Sequence, residues 1–231
     1  MLVVRLFNKM KKGYDNPISE PVSSETKIPL VFDAVGENID VCYVGNLFVK
    51  EHYKHKHQNS LWLTVKRLGK LVLLAEIMYM NKYSTNLFKQ NYVNYPHLSS
   101  LVISELYSRY VLDKDQNYHA GIMRVEDKQS QKISHEKYET TLNKQTVNNL
   151  KSIVAEIYQI TECIDTVDLV KILRVDFPEY NVPEGCVNPN EEYYIPKQLI
   201  YNEFKDFSFD ELKELNEHEK VKLNQMLENR K

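Results

Sequence analysis

The densest cluster of chemically capable side chains lies in KEHYKHKHQN, where His52, His55 and His57 alternate with Lys50, Lys54 and Lys56. Imidazoles ligate divalent cations, but a strand puts His55 and His57 on one face and His52 on the other. A helix brings His52 and His55 together and turns His57 away. No regular element gathers all three, and the neighbouring lysines repel a cation, so the stretch predicts no dedicated metal site. Its charge predicts something else. Between positions 50 and 70, Lys50, Lys54, Lys56, Lys66, Arg67 and Lys70 stand against the single acid Glu51, with Tyr53 and Trp62 interspersed. Cations with interleaved aromatics suit a sugar-phosphate backbone and its unstacked bases, or an acidic protein surface. The plainer alternative puts the lysines on a solvated face and Trp62 in the core.

A second cluster, DKDQNYHAGIMRVEDK, runs from Asp113 to Lys128. Its opening D-x-D-x-N resembles a calcium loop, yet Tyr118 stands where the loop needs glycine and Arg124 where it needs a bidentate glutamate. Calcium is excluded on that pattern. Asp115, the apolar run from Ile122 to Val125, and then Glu126-x-Lys128 resemble the spaced carboxylate and E-x-K of restriction-endonuclease-like nucleases. The resemblance is confined to this stretch. It implies magnesium held by Asp115 and Glu126, Lys128 positioning the attacking water, and Glu105 as a further carboxylate. Nucleotide-cradling and hydrolase motifs are missing: there is no G-x-x-x-x-G-K, G-x-G-x-x-G or G-x-S-x-G, and only 6 glycines to build one. No cofactor is expected.

The elements that would position these groups follow from periodicity and punctuation. LVVRLF (Leu2 to Phe7), IPLVFDAV (Ile28 to Val35) and IDVCYVGNLFV (Ile39 to Val49) are apolar, β-branched runs parted by turn residues, among them Gly36-Glu37-Asn38 and Gly45-Asn46, and they predict a small N-terminal sheet. Pro17, Pro21 and the serines between the first two mark an exposed loop. Residues 60–82 place Leu61, Val65, Leu68, Val72, Ala75 and Tyr79 at helical spacing after a Ser60 cap, although Gly69 offers a hairpin turn as the alternative. Pro96 opens a predicted helix carrying Leu98, Leu101, Val102, Leu106 and Tyr110. A long amphipathic helix is predicted over 141–164 through Val147, Leu150, Val154, Ile157 and Ile164.

Pro178, Pro183, Pro189 and Pro196 forbid regular structure and predict an ordered, wrapping segment. Ser208 and Glu211 then make a capping box, with Phe207 and Leu212 spaced for a hydrophobic staple, at the head of a terminal helix striped by Leu212, Leu215, Leu223 and Met226. Strands first and helices later give an α+β class: a small N-terminal β-sheet followed by a helix-rich C-terminal two-thirds. Residues 1–231 are expected to form one domain, with a sub-boundary possible in the polar segment 113–140.

Composition limits the class of function. In 231 residues, 27% charged with a formal net charge of −2, no overall field favours nucleic acid or membrane. The charge is nevertheless polarised, basic in the first third and acidic in the last. Cys42, Cys163 and Cys186 form neither a disulfide framework nor a thiolate zinc site, and LVLLAEIMYM is too short and too charged to span a bilayer, so the expected compartment is cytoplasmic. Abundant Lys, Asn, Ile and Tyr with few Ala and Gly fit an AT-rich coding sequence.

The leading expectation is a non-enzymatic interaction protein that binds a protein or ribonucleoprotein complex. A phage or mobile-element accessory protein, such as an inhibitor of a host defence complex, is one home for such a molecule. Lys50, Lys54, Lys56, Trp62, Lys66, Arg67 and Lys70 face the anionic partner or nucleic acid in this reading, and Tyr193, Tyr194, Tyr201, Leu215 and Leu223 supply a protein interface. The aromatics in that set also fit a lid over the core. The alternatives are an assembly subunit of connector or ring type, and a magnesium-dependent nuclease using Asp115, Glu126 and Lys128.

Overall fold

The computed structural model describes residues 39–55, 61–95, 100–111, 125, 142–175, 177–183, 186 and 191–229. The first two expected strands and the segment around Asp115, Glu126 and Lys128 lie outside these residues, as do Lys56 and His57.

Helix dominates. The run IDVCYVGNLFV, expected as a strand, is instead most of a helix α1, Val41–Lys54, whose first turn is capped by the Asp40 carboxylate accepting from the Cys42 amide at 2.7 Å. Every residue from Val41 to Val49 is buried. A helix enclosed on all sides carries a continuous apolar run and loses the periodic stripe that identifies surface helices, which is why the segment imitates a buried strand. Gly45, expected in a turn, sits within this helix; a Cβ there would come 2.8 Å from Leu106 Cδ1.

The helix expected over 60–82 is a single element, α2, Val65–Tyr83, capped by Thr64, whose hydroxyl accepts from the Arg67 amide at 3.1 Å. Gly69 makes no hairpin. It admits the Tyr107 ring, whose Cε2 lies 3.2 Å from where a Cβ would be. Helix α2 ends at Ser84 in the left-handed region with φ 54°, and from Arg67 to Met80 it is buried on all faces.

The expected single helix from Pro96 is divided. Val93–Tyr95 (β1) and Ser100–Val102 (β2) pair antiparallel, Val93 opposite Val102 and Tyr95 opposite Ser100, and among the described residues of this span Ser104–Val111 (α3) is the helical part. Leu101 and Val102 matched a helical stripe, yet the ladder they form with β1 outweighs that local spacing. The long helix is α4, Lys144–Thr161, with Asn143 as its cap. A short α5, Thr166–Ile172, follows on an Asp165 cap that accepts from the Asp168 amide at 2.8 Å.

The described residues of the proline-bearing segment are 177–183, 186 and 191–196. Two 3-10 turns, Pro178–Tyr180 and Glu191–Tyr193, flank its contacts with β1: Val182 N–H donates to Asn94 O, and Ile195 N–H to Tyr92 O, each at 2.9 Å. Helices α6, Lys197–Phe204, and α7, Phe209–Glu228, complete the described chain. The Ser208 hydroxyl accepts from the Glu211 amide at 3.2 Å, the cap read from the sequence. Around α1 and α2 the other helices contribute Leu106, Leu150, Val154, Ile157, Leu169, Ile200, Phe204 and Leu212 to one apolar core. The architecture is mostly helical with a small two-stranded antiparallel sheet.

Candidate functional site

The cationic stretch between positions 50 and 70 is split between surface and interior. Lys50 and Lys54 stand exposed at the end of α1. Lys54 pairs with Glu51 at 2.6 Å, and Glu51 also meets His55 Nε2 at 3.1 Å. Surface pairs of this kind hold geometry more than they stabilise. His52 turns inward, its Nδ1 3.1 Å from the Tyr158 hydroxyl, while the His55 ring stacks on Tyr158 with centroids 5.5 Å apart. The two histidines are thus occupied in docking α1 on α4. Among the described residues no group of His, Cys, Asp or Glu is gathered to hold a metal ion.

Trp62 is 59% exposed, against the alternative that it fills the core. The next residue is tied to Val125, whose N–H donates to Leu63 O at 2.8 Å and whose carbonyl accepts from the Tyr53 hydroxyl at 2.9 Å. Tyr53 lies beside Lys54 near the end of α1, so this pair of bonds ties the backbone next to Trp62 to that end of the helix. Lys66, on the first turn of α2, is half-buried.

Arg67 and Lys70 were expected to face a partner, and both are buried. Arg67 donates through Nη1 to Ile164 O at 2.5 Å and through Nη2 to Thr161 O at 2.7 Å. The guanidinium therefore closes the C-terminal end of α4, where unsatisfied carbonyls carry negative partial charge. Burial lowers its pKa to about 10, opposed by Tyr158, Asp165 and Cys163, and it remains charged at neutral pH. Lys70 is 0% exposed, and its Nζ has no hydrogen-bond partner among the described residues. Burial, reinforced by the neighbouring Lys66 charge, pulls its pKa down to about 7.

A buried ion pair that the sequence reading missed lies further along α2. Glu76, fully enclosed, accepts from Lys197 Nζ at 3.0 Å and from the Phe88 amide at 3.2 Å, with the Leu87 amide as a further donor. Burial raises its pKa, and these donors oppose the rise. The Lys197 ammonium also lies 4.9 Å from the Tyr92 ring centroid. The signal available in the sequence was a lone carboxylate inside an otherwise apolar helical run, which has to find a cation.

The proposed interface residues divide similarly. Leu215 is 2% exposed and belongs to this chain's own core, so it is unavailable to a partner. Tyr201 is half-buried against that core, and Tyr193 packs with Val93, Val102 and Val182, which makes both part of the lid over the body. Tyr194 and Leu223 retain solvent contact. Beyond Lys220, whose Nζ reaches Glu162 at 3.2 Å, α7 exposes Val221 and Met226, at 53% and 63%. Glu105 is exposed on α3. The three cysteines are free thiols, and no described helix is long and apolar enough to cross a membrane.

No family model, curated protein or solved structure matches the chain. The site itself has to carry the functional argument.

Proposed function

We propose that this is a non-enzymatic, cytoplasmic interaction protein that engages an anionic face of a protein or ribonucleoprotein complex through Trp62 and the lysines around it. The observation that supports the reading is the exposure of the chain's one tryptophan, next to Leu63, which Val125 links to Tyr53 near the end of α1 that carries Lys50 and Lys54. An indole is costly to leave in water, and aromatic anchors ringed by cations are a recurrent composition of binding surfaces. Arg67 and Lys70 are withdrawn from that surface, which leaves Lys50, Lys54 and Lys66 as its described cations. An AT-rich coding bias fits a phage or mobile-element accessory protein, with interference in a host defence complex as the corresponding role.

The test is capture of a partner from cell extract by the tagged full chain, with elution over a salt gradient. Wild type is expected to retain a discrete protein or ribonucleoprotein species. Trp62→Ala combined with Lys50→Glu and Lys54→Glu should release it at clearly lower salt while melting at the wild-type temperature, because these side chains are outside the core. Identical capture and salt response by the triple variant would retire the surface.

A second reading is favoured by the exposed Val221 and Met226: an assembly subunit that clasps its neighbours through the end of α7. Light scattering over a range of concentrations separates the two, since a ring or connector gives a large discrete species and the first reading does not require one.

A further inference from the structure

Successive strand residues point to opposite faces, so the β1–β2 hairpin has two sides to cover. Leu101 on one side, with Tyr92 just before β1, packs into the main core. Val93 and Val102, opposite each other in the ladder, form a small separate cluster with Val182 of the proline-bearing segment, and Cys186 and Tyr193 pack at its margin. The same segment also covers the outer edge of β1. The carbonyl of buried Asn94 accepts from the Val182 N–H at 2.9 Å, and its side-chain amide donates to Asn181 Oδ1 at 2.6 Å. Asn181 meets Asn94 in an isolated parallel bridge and Ile195 meets Tyr92 in an isolated antiparallel one. The segment therefore touches the edge twice, in opposite senses, without extending the ladder. Single bridges shield an edge with fewer bonds than a paired strand supplies. The two ends are seated differently: Phe177 and Ile195 lie in the main core, and Lys197 is paired with enclosed Glu76 at 3.0 Å.

We infer that Asn181, Val182 and Tyr193 belong to a flap that lifts from the hairpin while Phe177 and Ile195 stay seated, and that the edge of β1 beneath it docks an extended peptide segment of a partner. The flap is itself the template for that occupant. Whatever replaces it has to bring a backbone N–H to Asn94 O, an acceptor to Asn94 Nδ2 and an apolar side chain onto Val93 and Val102; otherwise a buried asparagine is left without its bonds. An added strand meets all of these demands, because its backbone carries the donor and the acceptor and its alternate side chains carry the apolar group. Lifting the flap opens the small valine cluster and leaves the main core closed, so it costs a fraction of the global stability. The contact seen here is autoinhibitory. An outside strand binds only when the flap is up, and its apparent affinity falls in proportion to the time the flap spends down. Neither Trp62 nor the lysines of the cationic surface take part, so this site goes beyond the reading above and stands or falls apart from it.

The probe is a fluorescein-labelled synthetic peptide with the flap's own sequence, residues 178–183, and the readout is its anisotropy on titration with the full-length protein. Asn181→Ala combined with Val182→Gly in the protein loosens the flap and should tighten peptide binding by roughly tenfold or more over wild type. The same two substitutions placed in the peptide should abolish binding. Asn181→Ala alone in the protein, the milder change, should shift the affinity in the same direction and serves if the double variant does not fold. Amide deuterium uptake by the wild type reports the lifting itself: residues 181–183 should exchange roughly 100-fold or more faster than the buried turns of α4. Peptide binding that is equal for wild type and the folded variants, or absent from all of them, overturns the docking site. Exchange at 181–183 as slow as in α4 shows that the flap does not lift, and the inference falls with it.

Discussion

Glu76 and Lys70 sit on the same helix, both shut off from water, and they are provided for in opposite ways. Glu76 has an ammonium from α6 and backbone amides from the turn after α2, and through them it joins three parts of the chain. Lys70 has no hydrogen-bond partner among the described residues, and the Lys66 charge acts against its protonation. The first arrangement is a structural pin, because each carboxylate oxygen that burial strips of water is returned a donor. The second holds a charge-capable group in a state that burial disfavours.

The contrast can be broken most forcefully at the pin. Lys197→Met leaves the Glu76 carboxylate buried without its cation and should cost about 3–5 kcal/mol. Chemical denaturation will measure it. Adding Glu76→Gln should recover a large part of that loss, because an amide can still accept from the Phe88 amide and carries no charge to neutralise.

At Lys70 the expected sign is reversed. Lys70→Met should stabilise by about 1–4 kcal/mol, since a thioether fills similar space with no charge to desolvate. The difference should also depend on pH. Lys70 has a folded-state pKa of about 7, below its ordinary 10.5, so between those values the unfolded chain binds the extra proton. Wild-type stability contributed by this residue therefore rises with pH across that window and is flat beneath it. The advantage of the methionine variant should shrink as the pH goes from neutral to about 10. A gap that stays constant would show that Lys70 is not neutral when folded.

The smallest effect sharpens the comparison from outside the core. Ser208→Ala removes the acceptor for the Glu211 amide and should cost about 1 kcal/mol, as helix caps do, with no pH component near neutrality.

What could be read from the sequence follows from which signals are local. The helices α2, α4 and α7 were legible from apolar spacing, and the start of α7 from its cap, since Ser208 does what its neighbours imply; α2 begins on Thr64 and not on the expected Ser60, and α4 on Asn143. Gly45 and Gly69 were misread because glycine is ambiguous: it turns a chain, and it also lets another element come close. The second use depends on Leu106 and Tyr107, far along the sequence. The strand reading of residues 39–49 failed for a related reason, since enclosure by other helices erases the amphipathic pattern.

The candidate surface was half legible. Lys50 and Lys54 are exposed, as both alternatives for the stretch had them, and Trp62, left open between surface and core, is exposed as well. Charge density could not tell that Arg67 would be turned to the carbonyls of Thr161 and Ile164, or that Lys70 would be enclosed. Spacing on α2 places Arg67 and Lys70 on the helix, but what covers each face is decided by α4 and its neighbours.

Asn216 has a consequence of its own. Its side chain donates to Gln159 O at 3.1 Å and accepts from the Cys163 amide at 2.8 Å, clamping α7 across the end of α4. Past Lys220 the helix runs on with most of its side chains in water. Measured by amide deuterium uptake, one continuous helix should divide into a slow half and a fast half, with the break near Lys220. The outer half then costs little free energy to uncoil and refold, so it can adapt its conformation without disturbing the body that carries it.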